Sequence, residues 1–239
     1  MKIFRLSAFL GSGLGLIVGL ALIAGVAPTA RAQDTTKTVI KSPYTDFHEQ
    51  RALALLLGYF AGNRGRPGVG PQGSPLVGLS YLYHVGGPAG IVGRLSYAPS
   101  QRTVLDPALP PDQRDLGSTS APLVMADVGL AFYFTGEKTW HHMVPTAGIA
   151  LGLAFGSNTP DVGGYSFGTK FYFGFGGGVT YALKGPWVFK ADAWDYLWQL
   201  KYPTTYFTFT PPVLPSDAPD KEWRNNGVIT IGLSYTLKQ

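Results

Sequence analysis

The chain has 239 residues, 19 Lys and Arg against 14 Asp and Glu, and no cysteine, which excludes disulfides, thiolate catalysis and Cys-ligated metals. Lys2, Arg5 and Arg31 lie in the first 32 residues, which contain no acids. Without them 16 cations face 14 acids, and a net charge of +2 with no Lys/Arg cluster gives no electrostatic footprint for nucleic acid. Thirty-two glycines, 13% aromatics and only 14% charged residues suit a strand-rich protein with lipid on one face rather than a disordered chain.

Lys2 and Arg5 precede an apolar run from Leu6 to Ala27 that ends in Ala30-Arg31-Ala32. This pattern predicts a secretory signal over residues 1–32 with an A-x-A cleavage site. The small residues before the break and the polar run Gln33 to Lys41 after it favour processing over a retained anchor. Residues 33–50 are predicted to be a short lead-in, and residues 51–239 a single strand-rich domain.

Within that domain apolar residues recur at every second position, which places successive side chains on opposite faces of a strand. At the carboxyl end Ile229, Ile231, Leu233, Tyr235 and Leu237 alternate with Val228, Thr230, Gly232, Ser234 and Thr236. Phe171, Phe173, Phe175, Val179 and Tyr181 likewise alternate with Lys170, Tyr172, Gly174, Gly176, Gly178 and Thr180. One face of each strand requires hydrocarbon and the other a tight, polar interior. Strands are predicted at 51–61, 75–85, 90–98, 122–135, 141–156, 167–183, 187–200 and 226–237, each about as long as, or longer than, the ~9 to 11 residues that cross a membrane when tilted.

Short and long connections alternate. Gly86 to Ala89, the turn around Gly136 to Thr139, and Lys184 to Pro186 are short; Asn63 to Ser74, Pro99 to Ala121, Ser157 to Ser166 and Lys201 to Asn225 are long. Such alternation is that of an outer-membrane barrel with periplasmic turns and outer loops. The expected fold is therefore all-β, an eight-stranded antiparallel up-and-down transmembrane β-barrel closed by pairing its first strand with its last. Closure leaves no unpaired backbone edge in lipid.

In its terminal Gly-Val-Ile-Thr-Ile-Gly-Leu-Ser-Tyr-Thr-Leu, its Gly-Gly-Pro-Ala-Gly turn followed by Ile-Val-Gly-Arg-Leu-Ser-Tyr, and its Val-Phe-Lys-Ala-Asp-Ala-Trp-Asp-Tyr-Leu-Trp strand, the chain resembles the small eight-stranded barrels of the OmpA-like, OmpX-like and OmpW-like type. The resemblance implies outer-membrane lipid as the surrounding medium, and periplasmic chaperones and the barrel-assembly machinery as partners during biogenesis in a Gram-negative-type envelope. Two features depart from the pattern. The end Leu237-Lys238-Gln239 stands where a terminal aromatic is usual, and a peptidoglycan-binding domain after the last strand is not expected.

The inward positions carry Arg94, Asp127, Lys170, Lys190 and Asp192, with His84 nearby in the pattern. In so narrow a barrel these charges must be paired to be buried, so a structural ion-pair network is expected, with a gate or ion path as its alternative. Arg94 and Asp127 fall on adjacent strands, and Lys190 and Asp192 on one face of a single strand. Trp187, Trp194, Trp198, Tyr202, Tyr59, Tyr81, Tyr83, Tyr97 and Trp140 read as aromatic girdles at the two interfaces.

No cofactor is expected. His141-His142 lacks carboxylate or Cys partners at ligand spacing, and the run Gly174 to Gly178 lies within a strand, without the spacing or following helix of a phosphate loop. No His-x-Ser pair of the lipid A deacylase kind occurs, so a lipid-modifying enzyme is disfavoured. The expected role is a structural or surface-interaction barrel acting through exposed Tyr206, Phe207 and Phe209 in the Pro-rich loop from Lys201 to Asn225. The alternatives are a narrow, porin-like channel or lateral route for small apolar solutes, and a soluble lipocalin-like carrier, which the bulky outward faces disfavour.

Overall fold

A computed structural model describes residues 42–47 and 49–237. The predicted signal, residues 33–41 and 48 of the lead-in and the last two residues lie outside the described part. Eight long strands form the wall: β2 (Arg51–Ala61), β3 (Ser74–Gly86), β4 (Ala89–Ala98), β7 (Leu123–Tyr133), β9 (Met143–Phe155), β10 (Thr169–Ala182), β11 (Trp187–Lys201) and β12 (Lys221–Thr236). Each pairs antiparallel with its neighbours, and the β12–β2 and β7–β9 ladders close the ring. All eight strands coincide with the predicted ones to within a few residues, because period-2 alternation is dictated by backbone geometry and survives any tertiary context.

The alternation also sorts the two faces. Leu53, Leu55, Leu57 and Tyr59 of β2 point outward and are about half exposed, while Ala52, Ala54, Leu56 and Phe60 are buried within. Ile229, Ile231, Leu233 and Tyr235 of β12 are outward in the same way. The wall thus shows solvent a continuous apolar belt, which is stable only against hydrocarbon. Aromatics mark its edges. Tyr83, Trp140, Tyr181, Trp187 and Tyr235 ring the short-turn end, and Trp223 stands at the other, twelve residues from Tyr235 on β12. At roughly 3.3 Å per residue and a tilt of about 40° the two are separated by about 30 Å, the thickness of a bilayer core.

Three additions were not foreseen from the sequence. The loop after β4 contains a hairpin, β5 (Gln101–Leu105) with β6 (Asp115–Ser120). The lead-in forms β1 (Tyr44–Asp46) on β8 (Lys138–Trp140) in the turn after β7. A single helical turn, α1 (Thr205–Thr208), lies in the last loop, an addition to the all-β barrel expected. β12 also begins at Lys221, five residues before the predicted strand, so the last loop shrinks to residues 202–220. His141 and His142, both with positive φ (49° and 66°), form the two-residue turn between β8 and β9, a conformation that hairpin turns of this length require.

Candidate functional site: the filled lumen and its cap

The middle of the inward face of β10 is bare, with glycine at 174, 176 and 178. The space is taken by the next strand: a Cβ on Gly176 would lie 2.7 Å from the Trp194 ring. Glycine here lets the large inward side chains of β11, Trp194 and Tyr196, lie flat against the wall. The glycine run is a packing device.

Those aromatics surround a charged layer at mid-barrel. Arg94 and Asp127 are directly opposite in the β4–β7 register, and Arg94 Nε donates to Asp127 Oδ1 over 2.8 Å. Tyr172 reaches across from β10 and donates its hydroxyl proton to Asp127 Oδ2, also over 2.8 Å. The Arg94 guanidinium lies 3.6 Å above the Trp194 ring centroid, a cation–π contact strengthened by desolvation. Both carboxylate oxygens are therefore satisfied, as burial of a charge requires.

A second layer closes the short-turn mouth. Lys190, expected near Asp192, pairs instead with Glu49 of the lead-in: Nζ to Oε1 is 2.9 Å. The same oxygen accepts from Ser234 Oγ at 3.0 Å. Backbone hydrogen bonds hold the lead-in across the opening, from Phe47 N to Glu137 O on one side and from His84 N to Gln50 O on the other, each 2.8 Å. His84 itself braces the adjacent turn through Nε2 and Gly87 O, 3.0 Å apart. Between the two layers a cavity of about 60 Å³ remains, lined by Arg94, Lys190, Asp192, Ser80, Thr180 and Thr230. That is room for a few waters, not for a solute in transit.

The long-loop mouth is sealed by a third, apolar layer. Phe60, Phe167, Trp198, Leu200, Tyr206 and Leu214 form one buried cluster, in which the Trp198 ring stacks on Phe60 and meets Phe167 edge-on, with centroids 5.8 and 5.7 Å away. All four long loops contribute ties. Arg102 Nη1 meets Asp161 Oδ2 at 2.6 Å; Arg114 donates to Pro211 O; Thr205 Oγ1 donates to Gly163 O at 2.5 Å; and Arg66 pairs with Glu222 at 3.2 Å. Burial pushes the phenols of Tyr165, Tyr202 and Tyr206 well above their usual range, so they stay neutral.

Several expected placements are corrected by this geometry. Tyr206 is fully buried and Phe207 partly so, packed against the cap; of the three loop aromatics expected to be exposed, Phe209 is exposed. The cause is the fold-back of the loop, in which Val213 N and Leu214 N both donate to Tyr206 O at 2.9 Å. Trp194, Trp198 and Tyr202, expected in the girdles, face inward. For the first two the parity of β11 had the answer, since 194 and 198 share a face with Lys190 and Asp192. Lys170 sits at the rim with its ammonium 5.8 Å from the Phe167 ring, and has no carboxylate within 4 Å among the described residues. His141 meets Trp140 edge-on and His142 lies tilted against Tyr181, and no group of three or more metal-ligating side chains occurs among the described residues. Glu49 carried no signal in the sequence, for it precedes the first periodic strand.

Among solved structures the outer-membrane protein OprG of Pseudomonas aeruginosa aligns over 81% of this chain and 99% of its own, with a TM-score of 0.50 and 14% identity. The fold is that of a small outer-membrane barrel. Neisserial surface protein A aligns over 82% of this chain and 98% of its own, at 14% identity and a TM-score of 0.48. Ail of Yersinia pestis aligns over 78% and 98%, at 15% and 0.37. No family model matches the sequence, and no curated protein matches it. At such identities the likeness is one of fold, and what the barrel does must be argued from its own side chains.

Proposed function

We propose that the chain is an integral outer-membrane barrel with a closed lumen, a rigid scaffold whose working surface is the cap built from its four long loops. The apolar outer wall supports the membrane reading, and the alternation of short turns with long loops supports an outward-facing cap. The observation that carries the scaffold reading is the threefold obstruction of the lumen: Glu49 with Lys190 and Ser234, Arg94 with Asp127 and Tyr172, and the aromatic cluster around Trp198.

For a solute to pass along the axis, all three layers would have to part. Each is held by an ion pair or by ring packing among its own members, so parting them would expose buried charges or apolar surface. The cap, by contrast, presents Leu116, Val162 and Phe209 to the outside, each 39% exposed or more. Loops held on a rigid body are where binding residues are commonly placed, and an apolar set among them suits contact with another macromolecule. This role calls for no cofactor and no reaction.

Planar-bilayer recording on the purified, folded protein tests the reading. Conductance indistinguishable from the bare lipid is the expected result. Stepwise, reproducible channel openings from the unmodified protein would overturn it in favour of a pore.

A further inference from the structure

β11 and β12 rise beyond the rest of the barrel. β2 ends at Ala61 opposite Gly227, whereas the β11–β12 ladder continues six more pairs to Lys201 opposite Lys221. Both terminal lysines lie on the outward parity of their strands and both are exposed. Like charges placed directly opposite in an antiparallel pair destabilise the ladder, and neither lysine has an ion pair within 4 Å among the described residues. The rim around them is basic: Lys170 is close enough to Lys201 for their charges to repel, and Arg66 and Arg224 lie alongside. The one paired acid, Glu222, is already engaged by Arg66, Arg224 and the Tyr202 hydroxyl. Asp220 is exposed, and among the described residues none of the three lysines has a carboxylate within 4 Å.

Directly below stands an aromatic wall. Trp223 is two residues from Lys221, a rise of roughly 5 Å along a tilted strand. Its ring lies 6.4 Å from Phe173, which meets Phe171 edge-on at 5.0 Å. All three are outward and about half exposed. Cations immediately above an apolar aromatic edge are matched to a molecule with anionic oxygens joined to hydrocarbon, because lysine stems lie along apolar surface while their ammonium groups stay in the headgroup layer.

We propose that the outer end of β10, β11 and β12 binds the phosphorylated headgroup of an outer-leaflet lipid, with Lys201 and Lys221 on the phosphate and Phe171, Phe173 and Trp223 against its acyl chains. The site rests on the membrane reading above. It also gives a role to a lysine pair without an ion-pair partner at the end of the longest ladder of the barrel: the lipid phosphate supplies one.

The full chain, folded in mixed micelles, is titrated with diphosphorylated lipid A and with its dephosphorylated form, and flotation with vesicles of the same lipids reports membrane insertion. The diphosphorylated lipid binds the wild type more tightly. K201Q/K221Q loses roughly thirtyfold in affinity for it, from two surface charges, while K138Q/K184Q, which removes the same charge at the opposite end, binds as the wild type does. Migration of the unboiled protein in detergent gels verifies that both variants are folded. Equal binding by wild type and K201Q/K221Q, or an equal loss in K138Q/K184Q, overturns the site while the membrane reading stands. A folded chain that does not float with vesicles overturns both.

Discussion

Asp127 joins two distant strands through one carboxylate, accepting from Arg94 on β4 and from Tyr172 on β10. Half of this arrangement is legible in the sequence. Arg94 and Asp127 share inward parity on consecutive barrel strands, and antiparallel register brings them opposite. The Tyr172 bond and the Trp194 ring beneath Arg94 are not legible, since they span the lumen and depend on its diameter. Removing one partner of a buried ion pair is costly because the other is left uncompensated. Asp127→Ala is therefore expected to lower stability by about 3–5 kcal/mol, and the double variant Arg94→Met/Asp127→Ala to recover most of that loss. Urea unfolding in micelles, followed by tryptophan fluorescence, measures both. A double variant no more stable than Asp127→Ala would show that the uncompensated charge is not what matters.

At the scale of elements, the last loop illustrates where periodicity stops informing. Residues 202–220 are rich in Pro and aromatics, a composition that marks a stiff apolar segment without saying which side it faces. The loop folds back because Tyr206 fills a pocket formed by other loops, remote in sequence. Its hydroxyl has no hydrogen-bond partner among the described residues, so its contribution is that of a ring. Tyr206→Phe is expected to be neutral or to stabilise by up to about 1 kcal/mol, whereas Tyr206→Ala should cost about 3–5 kcal/mol as for other large aromatic truncations. Limited proteolysis within 202–220 provides the readout: the Phe variant stays as resistant as wild type, and the Ala variant is cut faster. The reverse order would mean that the cap is held by something other than the Tyr206 ring.

For the whole molecule, the β12–β2 ladder closes a wall in which each barrel strand is paired on both sides, so unfolding must break a ring rather than peel an edge. The protein is expected to migrate as a compact species in detergent gels before boiling and to shift after it. A single band unaffected by heat would contradict the closed barrel. Eight strands, their faces and the alternation of short and long connections were determined by the sequence alone, because side-chain direction along a strand is set locally and repeats every two residues. Tertiary structure alone decided that Lys190 meets Glu49, that Trp194 lies beneath Arg94 and Trp198 against Phe60, that the loops seal the mouth, and that β11 and β12 overshoot the rim. Those outcomes depend on which residues a closed, tilted ring brings to the same height, and no stretch of chain shorter than the whole barrel contains that information.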